Sequence, residues 1–218
     1  MKNLYLTLIL LLILNTAAYA NRPTTYKNSD IRKLTETVIK DKISKEVQKN
    51  TVSVFGVGEG VGFCSGVIVA ATEKRTYVVT CKHCVGPTEE TLIENKQADA
   101  IFTTMDEDLA LIIVNGTIPK KYPAKLAKKN SKFNEKLIHI GYPVFKLYES
   151  WGNLLRTTKD WHWASFKSKG GCSGGGVFNT KKELVGILWG NLHSDDISIY
   201  EPIEDIHRFL KKTKVYIK

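Results

Sequence analysis

Ser173 lies between glycines in Gly171-Cys172-Ser173-Gly174-Gly175. A serine hydroxyl attacks a carbonyl only when a base takes its proton during the attack, and that base needs a carboxylate to hold its tautomer. A candidate base, His83, ends the apolar segment Val78-Val79-Thr80-Cys81-Lys82-His83. A candidate carboxylate, Asp108, opens the run Asp108-Leu109-Ala110-Leu111-Ile112-Ile113-Val114, where the head of a buried strand can place it under the imidazole, shielded from water. Asp106 and Glu107 compete for this role, but only Asp108 directly precedes the apolar run. The glycines around Ser173 permit a sharp turn that aims backbone N–H groups at a developing oxyanion. Each fragment is common alone. All three together, in the order His, Asp, Ser, point to nucleophilic acyl transfer.

That order separates this chain from two other hydrolase plans. α/β-hydrolases run Ser, Asp, His around a Gly-x-Ser-x-Gly elbow, and subtilisin-type enzymes run Asp, His, Ser. Most of residues 52–210 resemble the chymotrypsin-fold (trypsin-like) serine proteases. The segments Lys169-Gly170-Gly171-Cys172-Ser173-Gly174-Gly175-Gly176-Val177-Phe178-Asn179, Leu184-Val185-Gly186-Ile187-Leu188-Trp189-Gly190 and Ile140-Gly141-Tyr142-Pro143 are closest to the secreted glutamyl-endopeptidase-like branch. The resemblance implies an all-β fold: two six-stranded antiparallel β-barrels of the chymotrypsin type, with an N-terminal and a C-terminal helix. It further implies peptide-bond hydrolysis through an acyl-enzyme, a polypeptide substrate, and no cofactor or metal.

The same resemblance assigns the oxyanion hole to the N–H groups of Gly171 and Ser173, and the substrate pocket to Lys167, Ser168, Leu188, Trp189 and Gly190. Glutamyl endopeptidases present a His immediately before the Trp-Gly pair. Leu188 stands there instead, and an apolar wall cannot compensate a buried carboxylate. Lys167 and Lys169 are the nearby cations by motif spacing. Gly176 replaces the usual Pro, which predicts a looser turn. Cys172 occupies the position where trypsin-like zymogens carry an Asp, so activation by pairing with a new amino terminus is not expected. By the same analogy Cys64 and Cys84 form a disulfide, while Cys81 and Cys172 form a second bond or stay as free thiols.

These residues need elements to position them. From Thr51 the chain shows short β-branched runs with glycine punctuation: Val52–Val57, Phe63–Ala70, Thr76–Thr80 and Leu109–Val114, then Lys136–Ile140, Trp161–Phe166, Val177–Asn179 and Leu184–Leu188. Ile203, Ile206, Phe209 and Leu210 form one face of a closing helix. Residues 51–218 are assigned to the protease domain: barrel one about 51–116, a Pro- and Lys-containing linker 117–130, and barrel two with its helix 131–218. Residues 21–50 are a helical segment, either a propeptide or a helix packed on the barrels. Residues 1–20 read as a signal peptide: a basic start, the apolar run Leu4 to Leu14, and the small-x-small site Ala18-Tyr19-Ala20. The run is shorter than the roughly 20 residues of a membrane span, so a secreted or periplasmic protein without stable membrane insertion is expected.

The formal charge of +10 comes from scattered lysines without an aromatic-basic module, so nucleic acid is not an expected partner. Oligomeric state is not legible. Two rival readings remain at this stage. One is a catalytically inactive secreted binding protein on a protease scaffold; the other is a thiol or metal protein built on Cys81-Lys82-His83-Cys84. His139, His162, His193 and His207 read as structural or surface groups.

Overall fold

The computed structural model describes residues 28–57, 61–192 and 196–213. The signal segment 1–20, residues 21–27 and His193 lie outside the described residues. The chain divides into two units, one ending at Lys40 and one beginning at Asp41. Helix α1 (Asn28–Val47) runs through the boundary. Before it, Ile31, Leu34, Val38 and Ile39 are each more than half exposed; after it, Ile43 and Val47 are buried in the second unit's core.

The second unit carries two sheets, antiparallel at every pairing but one. In the first, β1 (Thr51–Val57), β2 (Val61–Ala71), β3 (Arg75–Cys81), β4 (Leu92–Ile93), β5 (Lys96–Gln97), β6 (Ala100–Thr103) and β7 (Leu109–Asn115) follow the order β5-β4-β1-β2-β3-β7-β6. No ladder joins β5 to β6, so this sheet is a half-barrel; its edge strands are too short to carry the ladder round. The second sheet contains β8 (Lys125–Leu126), β9 (Lys136–Gly141), β10 (Tyr148–Thr157), β11 (His162–Ala164), β12 (Gly176–Asn179), β13 (Glu183–Asn191) and β14 (Ser198–Pro202). It runs β12-β9-β10-β11-β14-β13, and pairing of β12 with β13 closes it into a six-stranded barrel. β8 adds in parallel at Glu183 and Leu184. Helix α2 (Ile203–Lys212) follows, with Ile203, Ile206, Phe209 and Leu210 buried as its periodicity predicts.

Strand β10 is missing from the sequence reading. Only two of its positions are buried, Gly152 and Leu154, and at Gly152 a Cβ would overlap the backbone of Ser165 and Phe166. The neighbouring chain therefore passes too close for any side chain, which weakens the alternating pattern that marks a strand. Strand β14 is missing too: it holds Glu201 and Pro202, yet all five of its residues are buried. Gly176 does not loosen the turn it begins. It is paired with Ile140 on one side and Ile187 on the other, and a Cβ there would strike Phe178 and Val67.

Candidate active site

Strands β3 and β7 pair in register from Arg75↔Asn115 to Cys81↔Leu109. A base two residues beyond the end of β3 and a carboxylate one residue before β7 must therefore lie side by side. His83 sits in a single 3-10 turn, Lys82–Cys84, that follows β3. Its backbone N–H donates to Asp108 Oδ1 at 3.0 Å, and its Nδ1 lies 2.6 Å from Asp108 Oδ2. Both carboxylate oxygens thus hold the same residue, which fixes the imidazole plane and leaves Nε2 for proton transfer. The competitors are engaged elsewhere: Asp106 pairs with Lys212, and Glu107 with Lys212 and Arg208.

Ser173 belongs to the loop before β12. Its carbonyl accepts the Ser65 N–H at 2.8 Å, which ties the second barrel's nucleophile loop to β2 of the half-barrel. Gly174, at φ +80°, leaves no room for a Cβ against Ser65 and Thr80. Gly171, at φ +88°, has its carbonyl turned to the Ser65 hydroxyl at 2.9 Å. The N–H groups of Gly171 and Ser173 donate to no acceptor among the described residues. Ser173 Oγ donates to the Trp189 carbonyl at 2.9 Å and makes no bond to His83 here. Sequence reasoning missed that acceptor, because a backbone carbonyl carries no residue signature.

The expected pocket residues divide. Ser168 is buried and accepts from or donates to the Ser198 hydroxyl at 2.9 Å. Leu188 is fully buried, and its carbonyl accepts the Gly174 N–H and the Cys81 thiol. Trp189 is about a third exposed and stands edge-on to both His83 and Trp161. Among the described residues no atom approaches within 4 Å of where a Gly190 Cβ would lie. Lys167 pairs with Asp196 at 2.9 Å, both side chains largely exposed, while Lys169 lies over the Tyr148 ring. A cleft of about 800 Å³ opens on the other side of the site, along His83, Asp108, Thr103 and Ile101.

Cys64 and Cys84 form the expected disulfide, which fastens the His83 turn to β2. Cys81 and Cys172 are free and buried. Burial raises the Cys172 thiol to about 11, and burial next to Asp108 raises Cys81 further from its usual range. Cys81-x-x-Cys84 is therefore not a dithiol pair. Cys64, His83 and Cys84 come within ligand reach of one another, as do Cys81, His83 and Asp108. The first set has its sulfurs bonded to each other, and in the second Asp108 already holds His83 and the thiol donates to Leu188, so neither donor set suits a metal. His139 and His162 are buried among aromatics: His139 stacks on Phe166, and burial lowers it to about 3, while His162 packs against Tyr200.

A half-barrel and a closed six-stranded barrel define the chymotrypsin fold. Residues 64–187, more than half of the chain, match the trypsin-like peptidase domain, and the chain belongs to that family. Its fold is similar to the Rv3671c protease of M. tuberculosis. The inactive form superposes with a TM-score of 0.69 at 13% identity, covering 82% of this chain and 96% of that one. For the active form the values are 0.69 and 14%, covering 82% and 87%. The serine endoprotease of Yersinia pestis gives 0.68 at 18% identity, over 79% of this chain and 65% of that one. At such identities the likeness is one of fold. No curated protein sequence matches the chain significantly.

Proposed function

We infer that this chain is a serine endopeptidase with Ser173 as nucleophile, His83 as general base and acid, and Asp108 as the carboxylate that orients His83. The observation that carries the reading is the paired grip of Asp108 on His83, through the backbone N–H and Nδ1. In the proposed cycle Ser173 Oγ leaves the Trp189 carbonyl by a χ1 rotation and turns to His83 Nε2. As Oγ attacks the peptide carbonyl, Nε2 takes its proton, and the oxyanion is received by the N–H groups of Gly171 and Ser173. Collapse breaks the C–N bond, with the proton passing from Nε2 to the leaving amine. Water then repeats the sequence on the acyl-enzyme, and Ser173 recovers its proton.

An inactive scaffold is the second reading, favoured by the Ser173 hydroxyl pointing to Trp189 rather than His83. A fluorophosphonate probe separates the two. Covalent labelling that disappears in Ser173→Ala supports the peptidase; a folded wild-type protein that never labels overturns it. The resemblance to the glutamyl-endopeptidase branch does not extend to glutamate selectivity in this proposal. Leu188 gives a substrate carboxylate no partner, and Lys167 is directed to Asp196. The reading also places the protein in a secreted or periplasmic compartment, supported by the signal-like residues 1–20 and a disulfide beside the base. Among the described residues no helix is long and apolar enough to cross a membrane.

A further inference from the structure

The segment that carries Asp108, residues 104–108 between β6 and β7, is not held by apolar packing. Met105 is 95% exposed, Asp106 is exposed, and Glu107 is the one buried residue among them. A carboxylate withdrawn from water must be paired, and Glu107 is paired three times over. The Thr104 hydroxyl donates to Oε2, Arg208 Nε donates to Oε1 at 3.0 Å, and Lys212 Nζ lies 2.8 Å from Oε1 and 3.1 Å from Oε2. Both cations stand on α2, four residues apart and so on one face of it. Arg208 is itself oriented by Asp205, with Nη2 2.8 Å from Oδ1, and Lys212 also reaches Asp106 at 2.9 Å. Lys82, beside His83, binds the same segment from the other side: its Nζ donates to the Thr104 carbonyl and its N–H to the Asp108 carbonyl, each at 3.1 Å.

Taking the triad reading as its basis, we propose that Glu107 is a positioning residue of the catalytic centre, passing the grip of helix α2 to Asp108 and through it to His83. The two neighbouring carboxylates diverge: Glu107 turns to α2, and Asp108 turns both oxygens to His83, at 3.0 and 2.6 Å. Asp108 is thus set between two buried neighbours, Glu107 before it and Leu109, fully buried at the start of β7, after it. Release of Glu107 leaves restraint on the β7 side alone. The exposed residues before it offer no apolar anchor, so the backbone at Asp108 is then free to turn its carboxylate away from His83. Reaction geometry is sensitive to such movement: a misplacement of about 1 Å costs up to about 10²-fold in rate.

Two readings on folded protein, taken well below its melting temperature, test this without a known substrate. One is the rate of fluorophosphonate labelling. The other is the low-field proton resonance of the His83 Nδ1–H held by Asp108, which a purely stabilising ion pair elsewhere would leave unmoved. Glu107→Gln removes the charge that draws in both cations; labelling should slow by about tenfold or more and the resonance should broaden or vanish. Lys212→Gln leaves Arg208 on Glu107 and so keeps the fold; it should slow labelling by roughly threefold, and Lys212→Arg, which restores a cation there, should recover the rate. Wild-type labelling with an unchanged resonance in folded Glu107→Gln overturns the proposal. If that variant does not fold, a Lys212→Gln protein indistinguishable from wild type in both readings overturns it. Absence of wild-type labelling would instead remove the triad reading on which it rests.

Discussion

At Ser173 the hydroxyl donates to the Trp189 carbonyl, and the proposed cycle requires it to turn from there to His83. The residues that must cooperate are nevertheless held from both sides, so single changes should act as removal of one unit. Asp108→Asn should keep the fold and lower peptidase or labelling rates by about 10²–10⁴-fold, because an amide in that place stabilises the wrong His83 tautomer. Near-normal rates in the folded variant would assign the role to Asp106 or Glu107. Specificity rests on another single side chain. Leu188→His should raise cleavage after Glu relative to apolar residues in a peptide-library profile; a wild-type profile dominated by Glu would transfer that role to Lys167. The free thiols make a third residue-level expectation. Cys81 and Cys172 are buried with raised pKa values, so iodoacetamide should modify neither in the native protein and both after unfolding. Fast native alkylation of either would contradict the burial. Of these residues, the candidates His83, Asp108 and Ser173 were marked by their neighbours in sequence, and the Cys64–Cys84 bond by the family resemblance. The Trp189 carbonyl was not, because its contact with Ser173 depends on what the fold brings against it.

Two elements hold the Asp108 loop in place. The 3-10 turn carrying His83 is fastened to β2 by Cys64–Cys84, which closes a loop of 20 residues. Removing that bond in a Cys64→Ser, Cys84→Ser double variant should cost about 3 kcal/mol by the chain-entropy account, read as a lower denaturant midpoint. On the other side, helix α2 clamps the loop through Arg208 and Lys212, which converge on Glu107. Burial opposes ionisation of Glu107, but hydrogen bonds from Lys212, Thr104 and Arg208 outweigh it and bring the group down to about 2. Its contribution to stability is therefore present above the unfolded-state value near 4.5 and is lost as pH falls from there through about 2. Glu107→Gln should lower stability at neutral pH and flatten the loss across that acid window in thermal melts. An unchanged slope would place the clamp elsewhere. Glu201 has the opposite sign: its folded-state value lies above the unfolded one, so it costs stability progressively from about 4.5 to about 8.

Across the whole molecule, the unit beginning at Asp41 holds both sheets, helix α2 and every candidate catalytic residue. The apolar positions of α1 become buried only past the unit boundary, at Ile43 and Val47. Limited proteolysis should therefore remove the exposed portion before Asp41 and leave a folded core that still labels with the fluorophosphonate. Loss of folding on trimming would show that residues up to Lys40 belong to the protease core. The sequence by itself determined the fold class and the order of the candidates His83, Asp108 and Ser173, because β-branched runs and a glycine-framed serine are local patterns. It also determined the closing helix, whose apolar residues recur at helical spacing. What only the tertiary structure decided depends on long-range pairing. The β3–β7 register brings His83 beside Asp108, and β12–β13 pairing closes one barrel while short edge strands leave the other open. A side chain's neighbours across a barrel are fixed by strand register and closure, which no local spacing records.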